Sequence, residues 1–294
     1  MIIDLNSLNG FDKQHYLQHI IAPRPVCFAS TVNREDIVNL SPFSFFNLFS
    51  TNPPVVIFSP ARRVRNNTTK HTLENVLEVP EVAINIVDYA MVQQTSLASC
   101  EYDKGVNEFQ KAGFTMQPSS IIKPPLVKES KAKMECRVLE VKTLGSEGGA
   151  GNLVICEVLL LHLDDAILDA DKRVDQQKIN QVARLGGDWY CKVDEQNLFK
   201  VPKPNIHLGV GVDALPASIK NSFILSGNDL GMLANVTVIP QKDATFSDDY
   251  LDVLKAKHPK TTALELLHLY AKKMIIDGAV DKAWQILLAA DSLL

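Results

Sequence analysis

Paired cysteine, clustered histidine and long apolar runs are all missing from this chain, and each absence removes a class of chemistry. The five cysteines, Cys27, Cys100, Cys136, Cys156 and Cys191, are odd in number, widely spaced and never arranged as CxxC. That pattern argues against a disulfide framework and against a zinc site. Seven histidines are scattered through the 294 residues, with no HExxH, and no GxSxG occurs. Metalloprotease and serine-hydrolase signatures are therefore absent. His15 and His19 share a helical spacing but have no carboxylate motif beside them, so the expectation is a solvated helix face and no metal. Basic residues do not dominate: 30 Lys and Arg stand against 34 Asp and Glu, a net charge of -4. Such a chain lacks the global positive field of a non-specific nucleic-acid binder. The longest apolar run, residues 153–163, carries Glu157 and His162 and is too short to span a bilayer. Residues 1–10 lack a basic segment followed by an apolar one, so no signal peptide is expected. With unpaired cysteines, the reducing cytoplasm is the expected compartment.

What remains is ordinary for a globular enzyme, at 46% hydrophobic and 22% charged residues. Cys27, Cys136 and Cys156 sit in apolar runs and read as small buried hydrophobes. The pattern predicts a helix over 12–21, ended by Pro23-Arg24-Pro25. β-rich segments follow at 26–32, 37–40, 55–59 and 82–87. A helix is expected over 68–77, with Leu73, Val76 and Leu77 at helical spacing, and another over 89–99. Residues 102–125, broken by Gly105, Gly113, Pro118, Pro124 and Pro125, read as a surface excursion. Two long strands at 133–144 and 152–163 flank the turn Gly145-Ser146-Glu147-Gly148-Gly149-Ala150-Gly151, a strong hairpin signal. A last short β segment follows Leu185-Gly186-Gly187. Composition shifts at Val201-Pro202-Lys203-Pro204, dividing a β-rich body, 1–203, from a helical C-terminal extension, 204–294. In the extension, residues 262–294 read as a helical hairpin broken at Asp277-Gly278. Thr262 and Glu265 have capping-box spacing, and Leu266, Leu267, Tyr270 and Met274 share one face.

Strand-rich order without regular β–α alternation favours an antiparallel barrel over a doubly wound sheet. A dinucleotide fingerprint is missing too. Gly209-Val210-Gly211 lacks its third glycine, and Gly148-Gly149-Ala150-Gly151 lies between strands rather than before a helix.

Two segments could carry chemistry. Arg62, Arg63, Arg65 and Lys70 crowd together with Asn66, Asn67, Thr68, Thr69 and Thr72, and no acid intervenes before Glu74. The segment leads into a helix, whose N-terminus offers free N–H groups to an anion. It is either a phosphate cradle or a solvated basic turn. The second segment, Asn39-Leu40-Ser41-Pro42-Phe43-Ser44-Phe45-Phe46, sets hydroxyls between aromatics. It is either an apolar slot with hydrogen-bonding edges for a planar ring, or core phenylalanines with turn serines. The acids at 164–171 read as a surface turn, and Glu157, inside an apolar strand, is either an edge-facing residue or a buried group with a partner.

An ordered set of motifs resembles the flavin reductase-like, FMN-binding split-barrel family, in its flavoredoxin-type branch. The set comprises Ile21-Ala22-Pro23-Arg24-Pro25-Val26, Ser30-Thr31-Val32, the segment from Val38 through Asn47, Asn52-Pro53-Pro54 and Phe58-Ser59-Pro60. It continues with Lys70-His71-Thr72-Leu73-Glu74-Asn75-Val76, Glu101-Tyr102, Glu108-Phe109, Gly149-Ala150-Gly151-Asn152-Leu153-Val154 and Arg184-Leu185-Gly186-Gly187. It spans about residues 12–203. The resemblance implies a mainly β fold with α additions, a six-stranded, Greek-key-like split β-barrel, and a homodimer. FMN is expected near the subunit interface, its phosphate by the Lys70 loop and its ring by Ser41 to Ser44. The expected cofactor-binding residues are Asn39, Ser41, Pro42, Phe43, Ser44, Ser59, Arg62, Arg65, Asn66, Thr68, Lys70 and Thr72. No catalytic side chain is expected, because flavin carries the redox chemistry. NADH or NADPH is the expected electron donor, and the acceptor is not indicated. The alternative is a flavin-binding electron carrier or sensor without nicotinamide turnover. The family commonly reads Lys-Asp-Thr where this chain has Lys70-His71-Thr72. His71 either approaches the phosphate or points to water. The extension looks like those of some family members, serving as a cap over the pocket or as added dimer surface.

Overall fold

The computed structural model describes residues 1–201 and 208–291, and the boundary expected at 203/204 lies outside them. The chain divides into two compact units, Met1–Phe199 and Lys200–Leu294.

The first unit is built on a seven-stranded antiparallel sheet. Its strands are β1 (Cys27–Val32), β2 (Val38–Phe43), β3 (Phe46–Thr51), β4 (Pro54–Phe58), β5 (Glu81–Ile86), β6 (Ala132–Thr143) and β7 (Asn152–Leu163), in spatial order β2-β1-β5-β6-β7-β4-β3. The two edge strands, β2 and β3, are consecutive in the chain, with only Ser44 and Phe45 between them. The sheet must therefore curl until its edges meet at that corner. The curl brings Phe43 of the edge strand β2 within 5.1 Å, ring to ring, of Phe58 on β4, the strand next to the other edge. Register shifts in the β6–β7 ladder, at Ile155/Cys156 and Val158/Leu160, supply local bends. The sheet has one strand more than the six that the resemblance implies. Strand β3 has no clean alternation of burial to announce it, since Asn47, Leu48 and Phe49 are all exposed.

The barrel interior gathers Cys27, Ala29, Phe43, Val56, Phe58, Val82, Ile84, Cys136, Val154 and Cys156, closed by Leu73 and Val76 of helix α2 (His71–Glu78). The three cysteines are small core residues, as expected. Burial raises each thiol, Cys136 to about 12. The period of two sends the neighbouring Phe28 into a different cluster with Met91, Ala98, Phe109 and Phe114. These residues come from helices α3 (Val92–Ala98) and α4 (Glu108–Ala112) and the chain near them. Helix α4 lies inside the stretch expected to be an irregular excursion. Asn107 caps it, accepting from Phe109 N, and Gly113 ends it with φ 72°.

Helix α1 (Gly10–Ile20) is held by Arg24, whose buried guanidinium donates to the carbonyls of Gln18 (2.7 Å), Ile21 (2.6 Å) and Leu185 (2.9 Å). Arg24 and Pro25 themselves pair with β8 (Val182–Arg184), which pairs with β9 (Tyr190–Lys192), forming a small second sheet.

The second unit is helical: α5 (Ala217–Lys220), α6 (Gly227–Leu233), α7 (Asp249–Lys257), α8 (Lys260–Ile276) and α9 (Val280–Asp291). Its core centres on Trp284, fully buried, with Leu233, Leu267, Ala271, Ile275 and Leu287. The α8–α9 hairpin breaks at Asp277-Gly278 as expected, with Gly278 at φ 79°. The Thr262/Glu265 capping box does not form. The helix starts two residues earlier at Lys260, after Pro259, so Thr262 already lies in its first turn. A capping box forms instead at Ser226 and Asp229. Among the described residues, no helix is long and apolar enough to cross a membrane.

Candidate functional site

The basic loop owes its shape to its own side chains. Arg62 donates to Asn67 Oδ1 (2.6 Å) and to the Asn67 carbonyl (2.5 Å). Arg63 donates to Thr68 Oγ1 (3.0 Å) and to the Thr69 carbonyl. Thr68 Oγ1 donates to Asn66 Oδ1, and Thr69 Oγ1 to Glu74 Oε1. These bonds hold Thr68 and Thr69 out of the helix, so α2 begins at His71 rather than at residue 68. The β6–β7 turn braces the loop from behind: Arg62 N donates to Ala150 O and Gly149 N to Arg62 O. The approach is close at Gly148, where a Cβ would lie 3.0 Å from the Val64 carbonyl oxygen and the loop would have to shift to admit it.

At the end of this loop, Lys70 occupies the N-cap of α2 and provides no side-chain cap. No side chain among the described residues fills the helix's first N–H groups, the arrangement that attracts an anion. The Lys70 ammonium is half-buried, makes no ion pair among the described residues, and lies 5.5 Å from the Phe43 ring centroid. Burial, and then the nearby Arg63, lower its pKa from the ordinary lysine value. Glu101 acts in the opposite sense without forming an ion pair to it, so Lys70 remains a desolvated cation beside a second cation and favours an added anion.

A cleft opens at this point, and it brings the two expected segments together. Asn39, Ser41 and Pro42 of β2 form one wall; Arg63, Lys70 and His71 form another. The third wall comes from Ser99 to Tyr102 and Glu108. Glu101 reaches across to Arg63 (3.5 Å) and Arg65 (2.9 Å). Beneath the cleft runs a buried polar chain: Thr72 Oγ1 donates to Asn39 Oδ1 (2.8 Å), and Asn39 Nδ2 donates to Glu108 Oε1 (2.8 Å). Glu108 Oε2 accepts from Leu40 N at 2.9 Å. Burial raises the Glu108 pKa, against the lowering effect of those hydrogen bonds.

The remaining expected residues distribute as follows. Phe43 is core, Ser44 sits in the β2–β3 corner, and Ser59 is buried, its N–H donating to Phe45 O at 2.9 Å. Asn66 and Arg65 are exposed on the loop, and Arg62 and Thr68 are engaged within it. Thr72 is fully buried beneath the cleft. Ser99, Cys100, Glu101, Tyr102 and Glu108 are wall residues that sequence reasoning did not single out as ligands, and the only signal for them was the adjacency of Glu101-Tyr102 and Glu108-Phe109 to the other motifs; His71, whose role the sequence left open, is also a wall residue. His71 has no hydrogen-bond partner among the described residues and also borders a neighbouring cleft with Asn39.

The sequence model of the flavin reductase-like domain matches residues 20–178. A protein of Aquifex aeolicus is 34% identical over 182 residues, covering 62% of this chain and 90% of its own length. Among solved structures, nitrilotriacetate monooxygenase component B from Bacillus cereus is similar at 28% identity and a TM-score of 0.64, covering 68% of this chain and 98% of that one. A flavin reductase-type protein with a split-barrel domain, from Shewanella frigidimarina, matches at 28% identity and a TM-score of 0.58, covering 67% of this chain and 95% of that one.

Proposed function

Because the chain belongs to the flavin reductase-like family, we propose that it is an FMN-binding flavoprotein oxidoreductase whose cofactor enters the cleft between β2 and the N-terminus of α2. One observation carries this reading: a half-buried Lys70 that makes no ion pair among the described residues, at a helix N-terminus whose N-cap residue provides no side-chain cap. Lys70, Arg63 and the first N–H groups of α2 suit a phosphate dianion in charge and donor type. The enclosed part of the cleft is narrow, about 30 Å³, and suits the small anionic end of a ligand. The ring would rest on the more open surface formed by Ser41, Pro42 and Ser44. Arg62, Arg65, Asn66 and Thr68 would shape the phosphate loop, while Asn39, Thr72, Phe43 and Ser59 would hold its walls from within. Bound FMN would supply the redox chemistry, with NADH or NADPH as the electron donor. The protein's part is to bind, orient and desolvate. No side chain of the cleft needs to move a proton for that.

A homodimer belongs to the same proposal. The edge strand β3 exposes Leu48 and Phe49, and Phe45 is exposed at its entrance. An unpaired edge with large apolar side chains favours a covering partner.

Equilibrium titration of the purified, flavin-free chain with FMN tests the reading. Saturable binding of one FMN per chain is expected; no saturable binding rejects it. Anaerobic addition of NADH or NADPH to the loaded protein then separates the reductase from the carrier. Loss of the yellow absorbance supports the reductase. Persistence with either nucleotide leaves flavin binding standing and favours an electron carrier or sensor.

A further inference from the structure

A second cleft lies along α3, outside the site described above. Its volume is about 370 Å³, within the range of small-molecule pockets. Two regular surfaces build it. From the helical stretch come Tyr89, Val92, Gln93 and Ser96, spaced to share one helix face. From the small sheet come Val182 and Arg184 of β8 and Tyr190 and Lys192 of β9. Val182 lies opposite Lys192 and Arg184 opposite Tyr190, so the four share one sheet face.

The chemistry of these walls is specific. The Arg184 guanidinium lies 4.6 Å from the Tyr190 ring centroid, and the Lys192 ammonium 4.9 Å from that of Tyr89. Two cations thus lie over two aromatic rings in one groove. Arg184 donates only to the Gly187 carbonyl (2.5 Å) and has no carboxylate partner among the described residues. Lys192 has a loose pair with Asp194 at 3.6 Å, and Asp188 is the one acid on the wall. Arg24 stands close enough to Arg184 for their charges to disfavour one another. The floor of the cleft is therefore positive, planar and aromatic. A guanidinium stacked on a ring still offers its in-plane N–H groups to an oxyanion.

We infer that this cleft binds a small ligand carrying an anionic group on an aromatic ring, the anion between Arg184 and Lys192 and the ring beside Tyr89. The helix ends at Ala98, and Ser99 and Cys100, which follow it, are wall residues of the first cleft, so the two clefts are joined through one short helix and share no lining residue.

Calorimetric titration of the full chain tests this, with benzoate as the aromatic anion and cyclohexanecarboxylate as the saturated control. The inference expects saturable binding of benzoate, unchanged by added FMN, with the saturated acid inert. It expects Lys192→Gln to weaken benzoate binding about tenfold. No saturable binding of benzoate overturns it. So does displacement of benzoate by FMN, equal binding of cyclohexanecarboxylate, or undiminished binding in Lys192→Gln.

Discussion

The side-chain amide of Asn39 donates to the carboxylate of Glu108 at 2.8 Å, joining residues 69 positions apart. Through this bond and the Thr72 hydroxyl on the other side of Asn39, three walls of the cleft are tied together: β2, α2 and α4. The walls of the site are thus set by a buried network beneath it.

Removing the acceptor should loosen all three walls. Glu108→Ala leaves Asn39 Nδ2 and Leu40 N without their partner, and we expect a loss of about 2–4 kcal/mol in urea unfolding at neutral pH. The pH dependence has a definite sign. Burial raises the Glu108 pKa above the ordinary 4.5, so its contribution is fully present below that value and declines as pH rises through the raised one. The stability of the native protein relative to Glu108→Gln should therefore fall between pH 4.5 and neutrality. A difference that is flat or rising over that window contradicts the assignment.

Glu101 competes with the proposed ligand. Its carboxylate holds Arg63 and Arg65 at the mouth of the cleft. Glu101→Gln should free both cations and tighten FMN binding severalfold at low salt, with the gain shrinking as salt rises. Weaker binding would mean that Glu101 organises the loop instead of competing for it.

Much of the barrel was legible in the sequence. The β6–β7 hairpin follows from two long apolar strands around a glycine-rich turn, and α2 from the spacing of Leu73 and Val76. Strand β3 was not legible, because its central residues Asn47, Leu48 and Phe49 are exposed on both faces and leave no alternation to read. The start of α2 was misplaced because the bonds that withhold Thr68 and Thr69 come from Arg63 and Glu74, side chains that propensity does not weigh. The basic loop and the hydroxyl-aromatic segment could be picked out separately. Their meeting in one cleft, and the presence there of Glu101 and Glu108, depend on long-range packing that one sequence does not display.

Away from the cleft, Glu135 is fully buried on β6 and accepts from Ser120 N and Ile121 N, each at 2.7 Å, with His162 Nε2 also at 2.7 Å. Burial acts to raise its pKa, but these partners outweigh it and the net shift is downward from 4.5. That contribution is present above 4.5 and is lost as pH falls through the lowered value. Acid unfolding of Glu135→Gln should be less steep in this range than that of the native protein. Superimposable acid limbs would contradict the pairing.

In the helical unit, Trp284 is fully buried and donates from Nε1 to the Leu233 carbonyl at 3.2 Å. Trp284→Ala should cost about 3–5 kcal/mol. Denaturant unfolding followed by circular dichroism checks it, and a loss below about 1 kcal/mol would contradict this packing.

Lys70 carries the central claim, and comparing a phosphorylated flavin with an unphosphorylated one isolates its role. FMN and riboflavin are titrated into the native chain and into Lys70→Met, a variant of similar length without charge. The account predicts that FMN binding weakens about tenfold or more in the variant, the scale of one lost charge-assisted contact, while riboflavin affinity changes little. Equal weakening of both flavins, or FMN affinity unchanged by the loss of Lys70, would contradict a phosphate site at the head of α2.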